Sequence, residues 1–368
     1  MITVSGSFTR PISLQIFQLK RFLVNDMKRI TIEDVARKAG VSKQTVSRVL
    51  NEKPDVAPKT RAYIKTLIKS MGYIPDPIAR SMKGKTQTLG CIAPNLSDYN
   101  FSCIIDAAQR EAQQNGYFIL AGSAPSEFDV PSLLTEMMNR RVDGLMVINP
   151  RNDQRYRHFL PLIEAKLPMV YINNTPVDEP VSAVGLDDLA GGYMAVHHLL
   201  SLGHKEIVTI LGPEIEECTR ERLIGYQKAL NENGIAIDQR WIVNGDWSSQ
   251  SGYSAIKKLL SYRVHFTAIF AQNDRMALGA MHALHEENIN IPENISIIGY
   301  DLPMTAYFNP SLTSIQQPLA KLGQIGAQYL IEAVHNPDLP PQVTRLAPTL
   351  INRQSCTHPH MYKEMRNQ

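Results

Sequence analysis

From residue 88 onward, short apolar runs alternate with longer stretches in which apolar positions recur every three or four residues. The runs at 89–93, 117–121, 144–148, 169–172, 183–186, 207–211, 268–270 and 295–299 predict buried strands. The stretches near 101–115, 131–140, 188–202, 219–233, 251–261 and 274–288 predict amphipathic helices. Such alternation predicts an α/β fold with doubly wound parallel sheets, whose ligands lodge at the carboxyl ends of the strands.

Residues 31–72 carry only the helical period. Ile32, Val35, Ala36 and Ala39 share one face, Thr31 can cap with Asp34 three residues on, and Gly40 stops the helix. Ser42 can cap a second helix that turns Val46, Val49 and Leu50 inward and leaves Lys43, Gln44, Ser47 and Arg48 on one polar edge. A third begins at Pro58, buries Ile64, Leu67, Ile68 and Met71, and ends at Gly72. A Gly-containing turn before a short helix with exposed donors is what a helix-turn-helix needs to enter a major groove. From Tyr73, Asp76 can cap and Pro77 start about two turns of helix, too few to hold without a partner.

Charge sharpens the division. The 368 residues carry a formal +3, but residues 28–85 hold 14 Lys and Arg against 5 Asp and Glu, net +9, and the chain beyond them is acidic. A basic unit on an acidic body reads as a phosphate-binding module joined to a regulatory or catalytic one. The 4 Cys form no C-x-x-C pair, which points to a reducing cytoplasm and to neither zinc nor disulfides. No apolar stretch is long enough to span a membrane or to serve as a secretory core.

TIEDVARKAGVSKQTVSRVLN resembles the DNA-binding signature of the lactose-repressor (LacI/GalR) family, and the likeness runs through MGYIPDPIARSMKGK to about Asn352. It implies a small all-α helix-turn-helix domain at 28–72, a hinge segment at 73–87, and a two-lobed effector-binding and dimerisation domain at 88–356, like a periplasmic sugar-binding protein. A tail at 357–368 lacks a tetramerising leucine heptad. Residues 1–27 have no counterpart up to Met27, where the family pattern begins, and read as an extension from an upstream start. Implied DNA contacts are Thr31, Ser42, Lys43, Gln44, Thr45, Ser47, Arg48, Asn51, Met82 and Lys83, with Met82 replacing the Leu that wedges a minor-groove step. Ala57 replaces a helix-capping Ser or Thr, and Asp55 stands in a loop that nears phosphates in some members.

The resemblance places effector contacts at Asn100, Phe101, Asn173, Arg222, Trp247, Asn273 and Asp301. An Arg fork and carboxyl acceptors suit hydroxyls, and an indole suits a sugar face. Asn173 stands where some members have Asp. The implied protein is a cytoplasmic homodimeric regulator, a repressor of a pseudo-palindromic double-stranded operator, with a sugar-like effector and no cofactor, metal or membrane partner. A purine effector is the alternative, but Glu216 and Cys218 replace the Arg and Thr of the purine-responsive pattern. Another alternative, a sugar-metabolising enzyme with a DNA-binding appendage, lacks any of the usual nucleotide, phosphate, nucleophile-elbow or zinc motifs. A transporter's solute-binding protein would not carry residues 31–51. His197, His198 and His204 are candidate metal ligands, better explained as helix-surface and helix-end residues. Asp187 and Asp188 can cap the following helix or face the cleft.

Overall fold

The computed structural model of the chain describes residues 30–50, 53–73, 85–151, 153–301 and 303–359. They form two compact units, one ahead of residue 85 and one from Lys85 onward.

The first unit packs α1 (Ile32–Ala39), α2 (Lys43–Leu50) and α3 (Pro58–Met71) around Val35, Ala36, Val46, Val49, Val56 and Ile64. Thr31 and Asp34 complete the capping box of α1, and Gly40, at φ 69°, makes the left-handed turn into α2. Ser42 Oγ accepts from Thr45 N at 3.1 Å, as a cap for α2 should. Leu50, Ile68 and Met71, expected inside, are half-buried at the edge of this core. Ala57 precedes α3 with no side-chain cap, so one helix-end N–H lacks the acceptor that Ser or Thr would supply.

The second unit contains two six-stranded sheets. The first takes β1 (Thr88–Ala93), β2 (Phe118–Ser123), β3 (Gly144–Ile148), β4 (Met169–Asn173) and β5 (Ser182–Leu186). The second takes β6 (Ile207–Leu211), β7 (Ile242–Asn244), β8 (Ala268–Ala271), β9 (Ser296–Asp301) and β10 (Thr313–Gln316). The chain then returns through β11 (Val343–Leu346) to the first sheet and β12 (Thr349–Ile351) to the second, giving the orders β11-β5-β4-β3-β1-β2 and β12-β10-β9-β8-β6-β7. All pairings are parallel except β10 with β12. Both faces of each sheet carry an apolar cluster, so the central strands are buried along most of their length and mostly apolar, with Thr209 in β6 and Ser296 in β9 among the polar exceptions.

The doubly wound α/β expectation holds. The pattern missed β7, β10, β11, β12, the short helix Leu160–Glu164 and the helix Leu319–His335. The missed strands have only three or four residues, mostly at sheet edges. Within the helix Leu319–His335, a Cβ on Gly323 would lie 2.0 Å from Ile104 O and one on Gly326 2.5 Å from Ile172. Both are close-packing positions rather than helix ends.

Among the described residues no group of three or more His, Cys, Asp or Glu could hold a metal ion. His204, expected at a helix end, is buried. Its Nδ1 lies 2.9 Å from Thr267 Oγ1 and its Nε2 2.8 Å from Thr357 O, pinning the chain after β12 to the sheet. Burial lowers its pKa. No helix among the described residues is long and apolar enough to cross a membrane.

Restoring the missing cap gives a direct test of the first unit. Ala57→Ser should stabilise it by about 1 kcal/mol, read as a higher urea midpoint of its helical signal, and an unchanged midpoint would show that the helix end is satisfied otherwise.

Candidate functional site

In the first unit, the basic residues on the exposed face of α2 are paired with acids from α1 and from the chain ahead of α3. Lys43 Nζ lies 2.8 Å from Glu33, and Arg48 Nε lies 3.3 Å from Asp55. All four side chains are more than half exposed, so these pairs are weak and a phosphate or base edge can displace them. Gln44 is exposed between them, while Ser47, expected on the polar edge, is half-buried. Ser42 Oγ and Thr45 Oγ1 are 2.9 Å apart at the start of α2, and Thr31 is engaged in its capping box. Asn51, Met82 and Lys83 lie outside the described residues.

The second site lies where the strand ends of the two sheets face each other. It begins with two helices of the second lobe, Asp188–Ser201 and Glu217–Glu232. A Cβ on Gly192 would come 2.3 Å from Arg222 O, and one on Gly225 2.2 Å from Leu189 O, so only glycine permits this approach. It brings Asp188 and Arg222 together, each about 4% exposed. Arg222 Nε donates to Asp188 Oδ1 at 2.7 Å and Nη1 to Gln272 O at 2.5 Å, while Nη2 stands 4.0 Å from Asp301 Oδ1. Tyr300 lies against the guanidinium, 3.6 Å from its ring centroid, and donates to Asp188 at 3.0 Å. Asp187 caps the first helix, so the adjacent acids divide the two expected roles between them.

Around this pair a cavity of about 300 Å³ is lined by Asn100 and Phe101 from one lobe and Trp247, Asn273 and Asp301 from the other, with Asn173 at the end of β4. The structure therefore brings all seven residues expected in the cleft around one cavity. The indole of Trp247 packs against Gly212, where a Cβ would meet it at 2.0 Å, and its Nε1 donates to Glu216 Oε1 at 3.0 Å. Asn273 is committed at both ends of its amide: it accepts from Met276 N and donates to Trp247 O, so it positions the indole. Arg222 is paired with neither Glu217 nor Glu221. Those residues reach the opposite lobe, Glu217 to Asn174 at 2.9 Å and Glu221 to Arg345 at 3.0 Å, and Arg275 reaches Asp98 at 2.6 Å.

Burial raises Asp301 to about 6, against the opposing pull of Arg222, Asn100 and Gln317, and burial also raises Glu216. Asn100 Oδ1 and Asn173 Oδ1 are buried without a hydrogen-bond partner among the described residues. Asn149, Asn173, Trp247 and Asp301 have φ of 51°, 71°, 71° and 113°, backbone strain concentrated at the cavity wall. Sequence reasoning missed Asn149 and Gln317 as lining residues. Asn149 directly follows a strand, as Asn173 ends one, so the strand-end rule applied evenly would have found it. Gln317 follows β10, which the pattern did not show.

A family model described as "Bacterial regulatory proteins, lacI family" matches residues 31–76, and one described as "Periplasmic binding protein-like domain" matches 196–356. The chain is 35% identical over 336 residues to the HTH-type transcriptional repressor PurR of Shigella sonnei, covering 88% of this chain and 96% of that one. Among solved structures it is similar to the lac repressor dimer bound to operator and the anti-inducer ONPF, with TM-score 0.78 and 29% identity over 89% of this chain and 99% of that one. It is also similar to the transcriptional regulator CelR in complex with cellobiose, with TM-score 0.69 and 29% identity over 88% and 99% of the two chains.

Two outcomes follow from these charges. Asp55→Asn should free Arg48 and tighten binding to duplex DNA of any sequence, up to about fivefold at low salt and less at high salt; anisotropy titrations that show no gain would deny the pairing any influence. Because burial holds Asp301 above the ordinary Asp value of 3.8, ionising it opposes folding. That opposition is absent well below pH 4, grows as pH rises through about 6 and is constant above it. Asp301→Asn should therefore raise the thermal midpoint at pH 8, with the gain shrinking as pH falls from 6 towards 4; a gain independent of pH would contradict the shift.

Proposed function

The chain belongs to the lacI family of bacterial regulatory proteins, DNA-binding transcriptional repressors that respond to small ligands and are not enzymes, and from that premise we propose that its cleft takes a sugar-type polyol. The observation that carries this reading is the set of acceptors around the cavity: the buried Oδ1 atoms of Asn100 and Asn173, without a partner among the described residues, and the Asp301 carboxyl. Hydroxyls donate to such oxygens, and Arg222 Nη2, whose carboxylate neighbour Asp301 stands 4.0 Å away, can donate back. The Trp247 indole supplies an apolar face for a sugar ring. The cavity sits at the small end of the ~300–1,000 Å³ range of ligand pockets, which suits a sugar. The likeness to a cellobiose complex supports the same class.

In this reading residues 28–72 bind operator DNA, 73–87 form the hinge, and 88–356 hold the effector and pair two copies into a cytoplasmic homodimer. Lys43, Gln44 and Arg48 read bases, and a two-fold dimer matches a pseudo-palindromic operator. The effector acts through differential affinity: a ligand that favours one lobe arrangement shifts DNA affinity, a factor of 100 requiring ~2.7 kcal/mol of coupling. A purine effector is the second reading, favoured by the identity to PurR. Against it, Glu216 and Cys218 line the cavity where the purine-responsive pattern has Arg and Thr.

A thermal-shift and calorimetric comparison of sugars with purine bases decides between them. The expected result is a sugar that binds and changes operator affinity; a purine that does so while every sugar is silent would overturn the polyol reading. Gly212→Ala drives a methyl into the Trp247 indole and should abolish effector binding while operator binding persists. Unchanged calorimetric affinity in this variant would place the ligand elsewhere.

A further inference from the structure

The charges around the cavity do not balance. Asp188 is paired with Arg222 and Asp98 with Arg275, which leaves Glu216 and Asp301 with no cation of their own among the described residues. Glu216 precedes the helix Glu217–Glu232 as its N-cap residue, yet its side chain caps no backbone N–H and turns to Trp247 instead. A helix N-terminus is where a phosphate or carboxylate of a ligand would settle. Here the residue at the helix start carries a carboxyl of its own, which stands at the cavity wall beside Trp247. Three other helix N-termini at the cavity are capped by side chains, Asp98 accepting from Asn100 N, Asp187 from Ala190 N and Asn273 from Met276 N, while the helix Leu319–His335, which also starts at the cavity, has no side-chain cap.

Resting on the polyol reading above, we propose that the cleft selects effectors without negative charge and rejects phosphorylated and carboxylated sugars, and that Glu216 sets this choice. Among the described residues each Glu216 oxygen accepts one bond, from Trp247 Nε1 at 3.0 Å and from Cys218 Sγ at 3.7 Å. Lone pairs are left that attract hydroxyl donors and repel anions. Replacing the carboxyl with an amide of the same shape keeps the acceptor for Trp247 and removes the charge. Burial in the cleft raises the Glu216 pKa, as expected for a carboxyl with no dedicated cation.

The test is a set of matched pairs, titrated calorimetrically at pH 8 against the full chain and its Glu216→Gln variant: glucose with glucose 6-phosphate and gluconate, ribose with ribose 5-phosphate, and hypoxanthine with inosine monophosphate. The expected result is a neutral sugar that binds at least tenfold more tightly than its anionic partner, and a ratio that collapses to within about threefold in Glu216→Gln, whose fold is checked by circular dichroism. Equal or tighter binding of the anionic member to the unaltered protein overturns the proposal, as does a ratio that the substitution leaves unchanged. If hypoxanthine alone binds, the polyol reading fails, while its ratio to inosine monophosphate still decides the charge rule. Silence of every compound overturns both. Asp301→Asn in the same titrations separates the two uncompensated carboxyls: a collapse there and not in Glu216→Gln would assign the rejection to Asp301 and overturn the role given to Glu216.

Discussion

The cleft depends on the buried pair of Arg222 and Asp188. Two charges removed from water are costly unless geometry and extra hydrogen bonds offset their desolvation. Here Arg222 gains Gln272 O and the face of Tyr300, and Asp188 gains the Tyr300 hydroxyl. The pair can form only because Gly192 and Gly225 let the two helices approach to backbone contact. Any side chain at either glycine would part the helices and leave a guanidinium and a carboxylate buried without each other.

That pair also fixes what is left for a ligand. With Nε and Nη1 committed, Nη2 stands near Asp301, which shares a cation that is already claimed. The strained backbone at Asn149, Asn173, Trp247 and Asp301 holds polar groups at strand ends in orientations that relaxed residues would not adopt. Strain of this kind persists when its surroundings over-determine it, as Gly212 beneath the indole and Asn273 bonded to the Trp247 carbonyl do here.

The lobes around the cavity are joined both by chain and by side chains. The backbone passes from one sheet to the other after β5, after β10 and after β11. Across the cleft run the Asp98–Arg275, Asn174–Glu217 and Glu221–Arg345 contacts. Several of these groups are partly exposed and so individually weak, which lets a bound ligand bias the lobe arrangement with a few kcal/mol of differential contact.

The helices of the first unit were legible because capping residues, Gly turns and a 3.6-residue apolar period are local signals, and Thr31, Gly40 and Gly72 act where the chain order places them. The central strands were legible because strands buried on both faces read as unbroken apolar runs. The resemblance located the cleft residues without showing their partners. That Asp188 rather than Glu217 or Glu221 meets Arg222, that Asn273 serves Trp247, and that Gly323 lies within a helix were decided by contacts between residues far apart in the chain. The pairing of Arg48 with Asp55 likewise required the local chain to fold before the two met. Sequence determines such features only through the packing of distant elements, because a salt bridge or a close glycine contact has no period along the chain and exists only once two elements have met.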